Sequence, residues 1–97
     1  MKREDFIFTV GFQGNTAIVD RKAQRSFRGS TIDDLISREL FGAAFRAAIF
    51  DSDDAAMERI RLAYNESFDA DYESAMQLKR LFGVDMVPED VARTRAL

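Results

Sequence analysis

The chain contains no cysteine. That excludes disulfides, thiolate nucleophiles and cysteine-ligated zinc or iron–sulfur centres. Histidine is also missing, which removes the commonest general base and the commonest transition-metal ligand. A metal site would need oxygen ligands alone, the kind that suits calcium or magnesium. The longest apolar run, from Leu40 to Phe50, is about half of the ~20 residues a membrane helix requires, and Arg46 interrupts it. The opening Met1-Lys2-Arg3-Glu4-Asp5 lacks the uncharged apolar core of an export signal. Together these absences point to a cytoplasmic protein with no metal, no cofactor and no membrane span.

What is present bounds the architecture. Ninety-seven residues suit one domain, 1–97, with a core just large enough to stand alone. Nine phenylalanines suggest that aromatic rings fill that core. The net charge of −3 hides an asymmetry. Residues 1–30 carry six Lys and Arg against three acids, whereas 31–97 carry eight against fourteen. A basic end of this kind can mark a surface that faces nucleic acid.

The organising stretch is Leu40 to Phe50, LFGAAFRAAIF. It is apolar on almost every side, as a buried helix is. Alanines 43, 44, 47 and 48 leave room for close neighbours, while Phe41, Phe45 and Ile49 fill one face. Before it, Asp5 to Phe12 alternates with a period of two, so Phe6, Phe8, Val10 and Phe12 share a face. Gly14-Asn15 suits a two-residue turn. The predicted hairpin spans residues 5–24, with Val10 opposite Val19, Phe12 opposite Ala17 and Glu4 opposite Arg25. Its Phe6/Phe8/Val10 face must lie on helices, because a lone hairpin is unstable in water.

Ser30-Thr31 followed by Asp33-Asp34 reads as a helix start. Helices are predicted over about 31–50, 52–66 and 70–82, with a short one at 88–95 behind Pro88. Asn65-Glu66-Ser67 reads as a break, and Gly83 as a left-handed helix cap. Gly42 either splits the central helix or admits a close neighbour inside it. The fold class is α+β: an N-terminal antiparallel β-hairpin, with room for a third short strand, packed on three to five α-helices. The hairpin followed by Ser30 to Leu35 resembles the opening of ubiquitin-like β-grasp domains. From Leu40 onward, alanine-rich helices stand where that fold needs strands, so nothing is carried over.

The acidic clusters Asp51/Asp53/Asp54 and Asp69/Asp71/Glu73 fail as calcium loops. An EF-hand needs glycine at position six and glutamate at twelve. From Asp51, position six is Ala56; from Asp69, positions six and twelve are Ser74 and Arg80. Helix capping accounts for both clusters. Catalysis is not expected. Serine chemistry lacks its histidine base, and neither a phosphate-cradling glycine loop nor a nucleophile elbow occurs. Arg46 could hold a phosphate or carboxylate, but such an arginine more often snorkels or pairs with an acid.

The residues suit two functions. The first is a small protein-interaction module that binds another protein, or itself, through an exposed hairpin edge. The alternative is RNA or DNA binding through the basic hairpin end: Arg21, Lys22, Arg25 and Arg28 for phosphates, Phe27 for stacking. Four cations on a net-negative chain are a thin basis, because lysine and arginine on an edge also deter aggregation.

Overall fold

The segment 41–50 forms a helix because its alanines favour one and its four large apolar side chains give it something to bury. The computed structural model describes residues 1–97 and wraps the other elements round this helix. In chain order they are α1 (Arg3–Ile7), β1 (Thr9–Gln13), β2 (Thr16–Val19), α2 (Arg21–Phe27) and α3 (Ile32–Ser37). Then come α4 (Phe41–Phe50), α5 (Asp54–Phe68), α6 (Ala75–Phe82) and β3 (Arg93–Ala96). Helices α1, α3 and α5 all pack on α4. Phe45 and Ala44, Ala47 and Ala48 have no exposed surface. The class is α+β, with a three-stranded sheet in the order β1-β2-β3.

The hairpin is shorter than residues 5–24. Its turn at Gly14 (φ 58°) and the pair Phe12–Ala17 are as the sequence predicts. Its outer halves are helical instead. Residues Phe6, Ile7, Phe8 and Thr9 are all buried, which a half-exposed strand cannot manage and a short helix running into a covered strand can. Arg3 fixes α1 through a two-pronged pair with Asp51 (Nε–Oδ1 and Nη2–Oδ2 both 2.9 Å), and Phe6 packs on Phe50 (centroids 6.1 Å). On the other side Asp20 caps α2 by accepting from the Ala23 N–H at 3.0 Å. Glu4 therefore never meets Arg25 across a ladder. A bulge between Thr9 and Gly11 puts Thr9, not Val10, opposite Val19. Val10 leaves the inner face and stands 54% exposed.

The predicted helix 31–50 is two helices. Thr31 and Asp34 make a reciprocal capping box at the start of α3. The break falls at Glu39 (φ 59°), where the Leu40 N–H returns to the Leu35 carbonyl at 2.9 Å. This is the six-to-one closure of a Schellman turn, here without its usual glycine. Gly42 does not split anything. It lies in the first turn of α4, where Phe82 and the Arg46 guanidinium lean over it.

Two further boundaries move. Helix α5 runs through Asn65-Glu66-Ser67 to Phe68, and α6 begins only at Ala75. The cause is the Asn65 side chain, which accepts from the Tyr72 N–H (3.1 Å) and donates to its carbonyl (2.9 Å). That pair ties the loop before α6 back to the last turns of α5. The predicted helix 88–95 is absent; residues 93–96 are a strand parallel to β2. Ala92 N–H to Asn15 O (2.8 Å) and Leu97 N–H to Val19 O (2.9 Å) bracket that ladder. Unpaired backbone on β2 outweighs the weak helical tendency of an eight-residue segment. The intervening α2 also separates the hairpin from α3, unlike the β-grasp order. No helix is long and apolar enough to cross a membrane.

The many phenylalanines have an internal use. Phe41, Tyr64, Phe82 and Phe45 form a chain of tilted and edge-on rings (5.4, 5.8 and 5.5 Å between centroids) that ties α4 to α5 and α6.

Candidate functional site

Helix α2 carries the basic residues singled out above, and the structure disperses them. Arg21 turns inward: Nη1 donates to Asp5 Oδ1 (2.5 Å) and Gln24 Oε1 (2.8 Å), and Nη2 to Thr94 Oγ1 (2.9 Å). Arg28 lies 3.8 Å from Glu4. Phe27 is half-buried against the core, and the Arg38 guanidinium covers its ring at 5.6 Å. Lys22 and Arg25 are exposed and unpaired. Arg21 and Arg28 do share a cleft of about 480 Å³ with Lys2, but Glu4 and Asp5 stand in it too. A phosphate there would face two carboxylates.

The Asp5 network makes acid a probe of this corner. Burial pushes the Asp5 carboxyl up, but hydrogen bonds from Gln24 and Arg21 outweigh it and hold the group below its ordinary value. The hydrogen bond from Arg3 does the same for Asp51. A carboxyl depressed in the folded state adds stability that is complete above its unfolded value, about 3.9, and is lost as pH falls through the folded one. With no histidine or cysteine, the unfolding midpoint should stay level from about pH 5 to 7 and decline below about pH 4. Asp5→Asn and Asp51→Asn should each flatten that acid limb in thermal melts. A step near pH 6 would have no group to carry it.

A second region has stronger features. With β2 in the centre, β1 and β3 are the two free edges of the sheet. They differ chemically. β3 is Arg-Thr-Arg-Ala, its two arginines exposed. β1 is Thr-Val-Gly-Phe-Gln, without a charge. Charge on an edge strand deters pairing, and its absence leaves pairing open. Alternation from the two-residue turn makes Gln13 and Thr16 a hydrogen-bonded pair, so the N–H and C=O of Phe12 point away from β2.

Beside this edge run two crevices. One, about 210 Å³, is lined by Val10, Phe12, Phe82, Val84, Asp85 and Met86 among others. The second, about 120 Å³, is lined by Phe8, Val10, Phe27, Leu40 and Ala43 among others. Thr9, Val10 and Arg46 belong to both, so the crevices meet at the Arg46 side chain. Each is smaller than the ~300 Å³ at which small-molecule pockets begin. They suit side chains of a peptide better than a metabolite.

Arg46 pairs with no acid. Its one hydrogen bond is a long one, Nη1 to the Ile7 carbonyl at 3.3 Å. Burial lowers its pKa, and the guanidinium remains a cation. The sequence marks Arg46 as unusual, a single charge in an apolar helix. It does not mark the wall formed by residues 82–86, which local pattern assigns only to a helix end. Nor does it place Val10 and Phe12 outside, because their period-two spacing matches that of a covered face.

No family model matches the chain, and no curated protein or solved structure does.

Proposed function

We propose that the protein is a non-catalytic interaction module that takes an extended segment of another protein along β1. The observation that supports this reading best is the contrast between the two sheet edges. One is capped with arginines; the other is uncharged, flanked by crevices, and displays Val10 and Phe12. An added strand would gain main-chain hydrogen bonds from the edge, and the crevices would take its alternate side chains. The bulge at Val10 blunts one end of the edge. Pairing is therefore centred on Gly11 to Gln13, and the rest of the segment lies in the crevices. A cytoplasmic setting is part of the proposal and rests on the cysteine-free sequence. Nucleic acid is the weaker partner, because Arg21 and Arg28 already have carboxylate neighbours and Phe27 is covered.

The test is association of Val10→Lys and Phe12→Lys variants. Both positions are about half exposed, so folding should be disturbed by roughly 0.5 kcal/mol or less. Partner capture from cell extract should drop sharply for both, while Lys22→Gln/Arg25→Gln should capture as well as the parent. Undiminished capture by the folded lysine variants, with loss in the α2 variant, would move the interface to α2 and sink this reading.

A further inference from the structure

We infer that the segment received along β1 is acidic: it carries a glutamate or aspartate between apolar residues, and that carboxylate pairs with Arg46. This rests on the strand-addition reading above and specifies its partner. Arg46 is the only cation lining both crevices. It has five N–H donors and spends one, at 3.3 Å, on a carbonyl. A partly buried guanidinium is normally matched by a carboxylate, since its desolvation is otherwise uncompensated. Two acids line the crevices, Asp20 and Asp85, and neither pairs with Arg46. Asp20 accepts from the Ala23 N–H as the cap of α2, and Asp85 is 3.5 Å from Lys79. The groove continues past Gly83 and Val84 to Met76 and Arg80, and Arg80 also lacks an acidic partner. This surface therefore presents two cations without an acidic partner, Arg46 and Arg80, among apolar side chains, with the Lys79–Asp85 pair and Asp20 also lining it. Its electrostatic complement is a negative charge between greasy residues, in extended form. The remaining walls supply apolar contacts at Val10, Phe12, Phe82 and Met86. An apolar strand without a carboxylate would fill the same space and leave the guanidinium desolvated but unpaired.

The experiment is selection of a displayed random-peptide library on the full chain and on Arg46→Met. Methionine keeps an unbranched apolar stem against Gly42 and Phe82. Arg46→Lys, which retains a cation without the two-pronged fork, serves if the first variant does not fold. The parent should enrich peptides with alternating apolar residues and an acid at one fixed place. On Arg46→Met the acidic preference should vanish while the apolar alternation persists; on Arg46→Lys it should weaken. Titration of the selected peptide and its Glu→Gln form should differ by about tenfold or more on the parent, the worth of one charge-assisted bond, and by little on Arg46→Met. Apolar enrichment without an acid overturns the Arg46 assignment and leaves the edge reading standing. No enrichment at all overturns both. A consensus matching this chain's own sequence, with dimers in sedimentation, replaces the foreign partner by a second copy.

Discussion

Replacing Phe45 by alanine is expected to remove about 3–5 kcal/mol of folding free energy. Phe45 is fully buried in α4, on which α1, α3 and α5 converge, and its ring packs on Phe82. Truncation deletes the transfer free energy of a benzyl group and leaves a cavity beside the Phe82 ring, in a helix packed on three others. Those helices close in poorly, because α1 is pinned to the end of α4 by Arg3–Asp51 and α3 by its Schellman turn. Native domains have about 5–15 kcal/mol in total, so the loss is a large fraction of the stability. Urea denaturation measures the effect, as a lower midpoint with an unchanged slope. Phe45→Leu should lose much less. A loss for alanine below about 1 kcal/mol, ordinary for any site, would mean that the centre of the fold lies elsewhere.

Proline at Val19 should be at least as damaging, at about 3 kcal/mol or more. In a two-stranded hairpin Val19 would lie on an outer strand, and proline there would merely block an edge. With β3 in place, Val19 belongs to the central strand. It has no exposed surface, faces Thr9 on one side and Ala96 on the other, and its carbonyl accepts from the Leu97 N–H. Proline removes its backbone donor and inserts a ring where both flanks are occupied. The counterpart, Val10→Pro, lies at a bulge on the edge strand, a place where proline is tolerated. Thermal melts followed by circular dichroism should therefore show a large fall in midpoint for Val19→Pro and little change for Val10→Pro. Equal behaviour of the two would contradict the strand order.

How far the residues alone lead differs from element to element. The capping box at Thr31, the turn at Gly14-Asn15, the Gly83 cap and the burial of Phe41, Phe45 and Ile49 are all readable locally. Each is decided within one turn of chain, by a side chain that satisfies nearby backbone or by a spacing that faces one way. Helix α2 also had a local signal: Asp20 before Arg-Lys-Ala-Gln-Arg is a cap followed by good helix formers. The apolar run Ala17-Ile18-Val19 just before it favours a return strand and masks that signal. Arg46 could be picked out as a lone charge, but not its lack of a partner, which depends on where every other acid falls.

Composition and short-range pattern by themselves determined an α+β chain centred on residues 40–50, and excluded cysteine and histidine chemistry. Tertiary structure alone decided that α1 is helical, that 93–96 joins β2, and that a bulge turns Val10 outward. These outcomes depend on partners distant in sequence: Asp51 for Arg3, Asn15 and Val19 for the final strand. No window of neighbouring residues contains both members of such a pair, so only the folded chain can set the alternatives against each other. The candidate groove is made entirely of pairings of this second kind, between an edge strand, the loop after α6 and one arginine of α4.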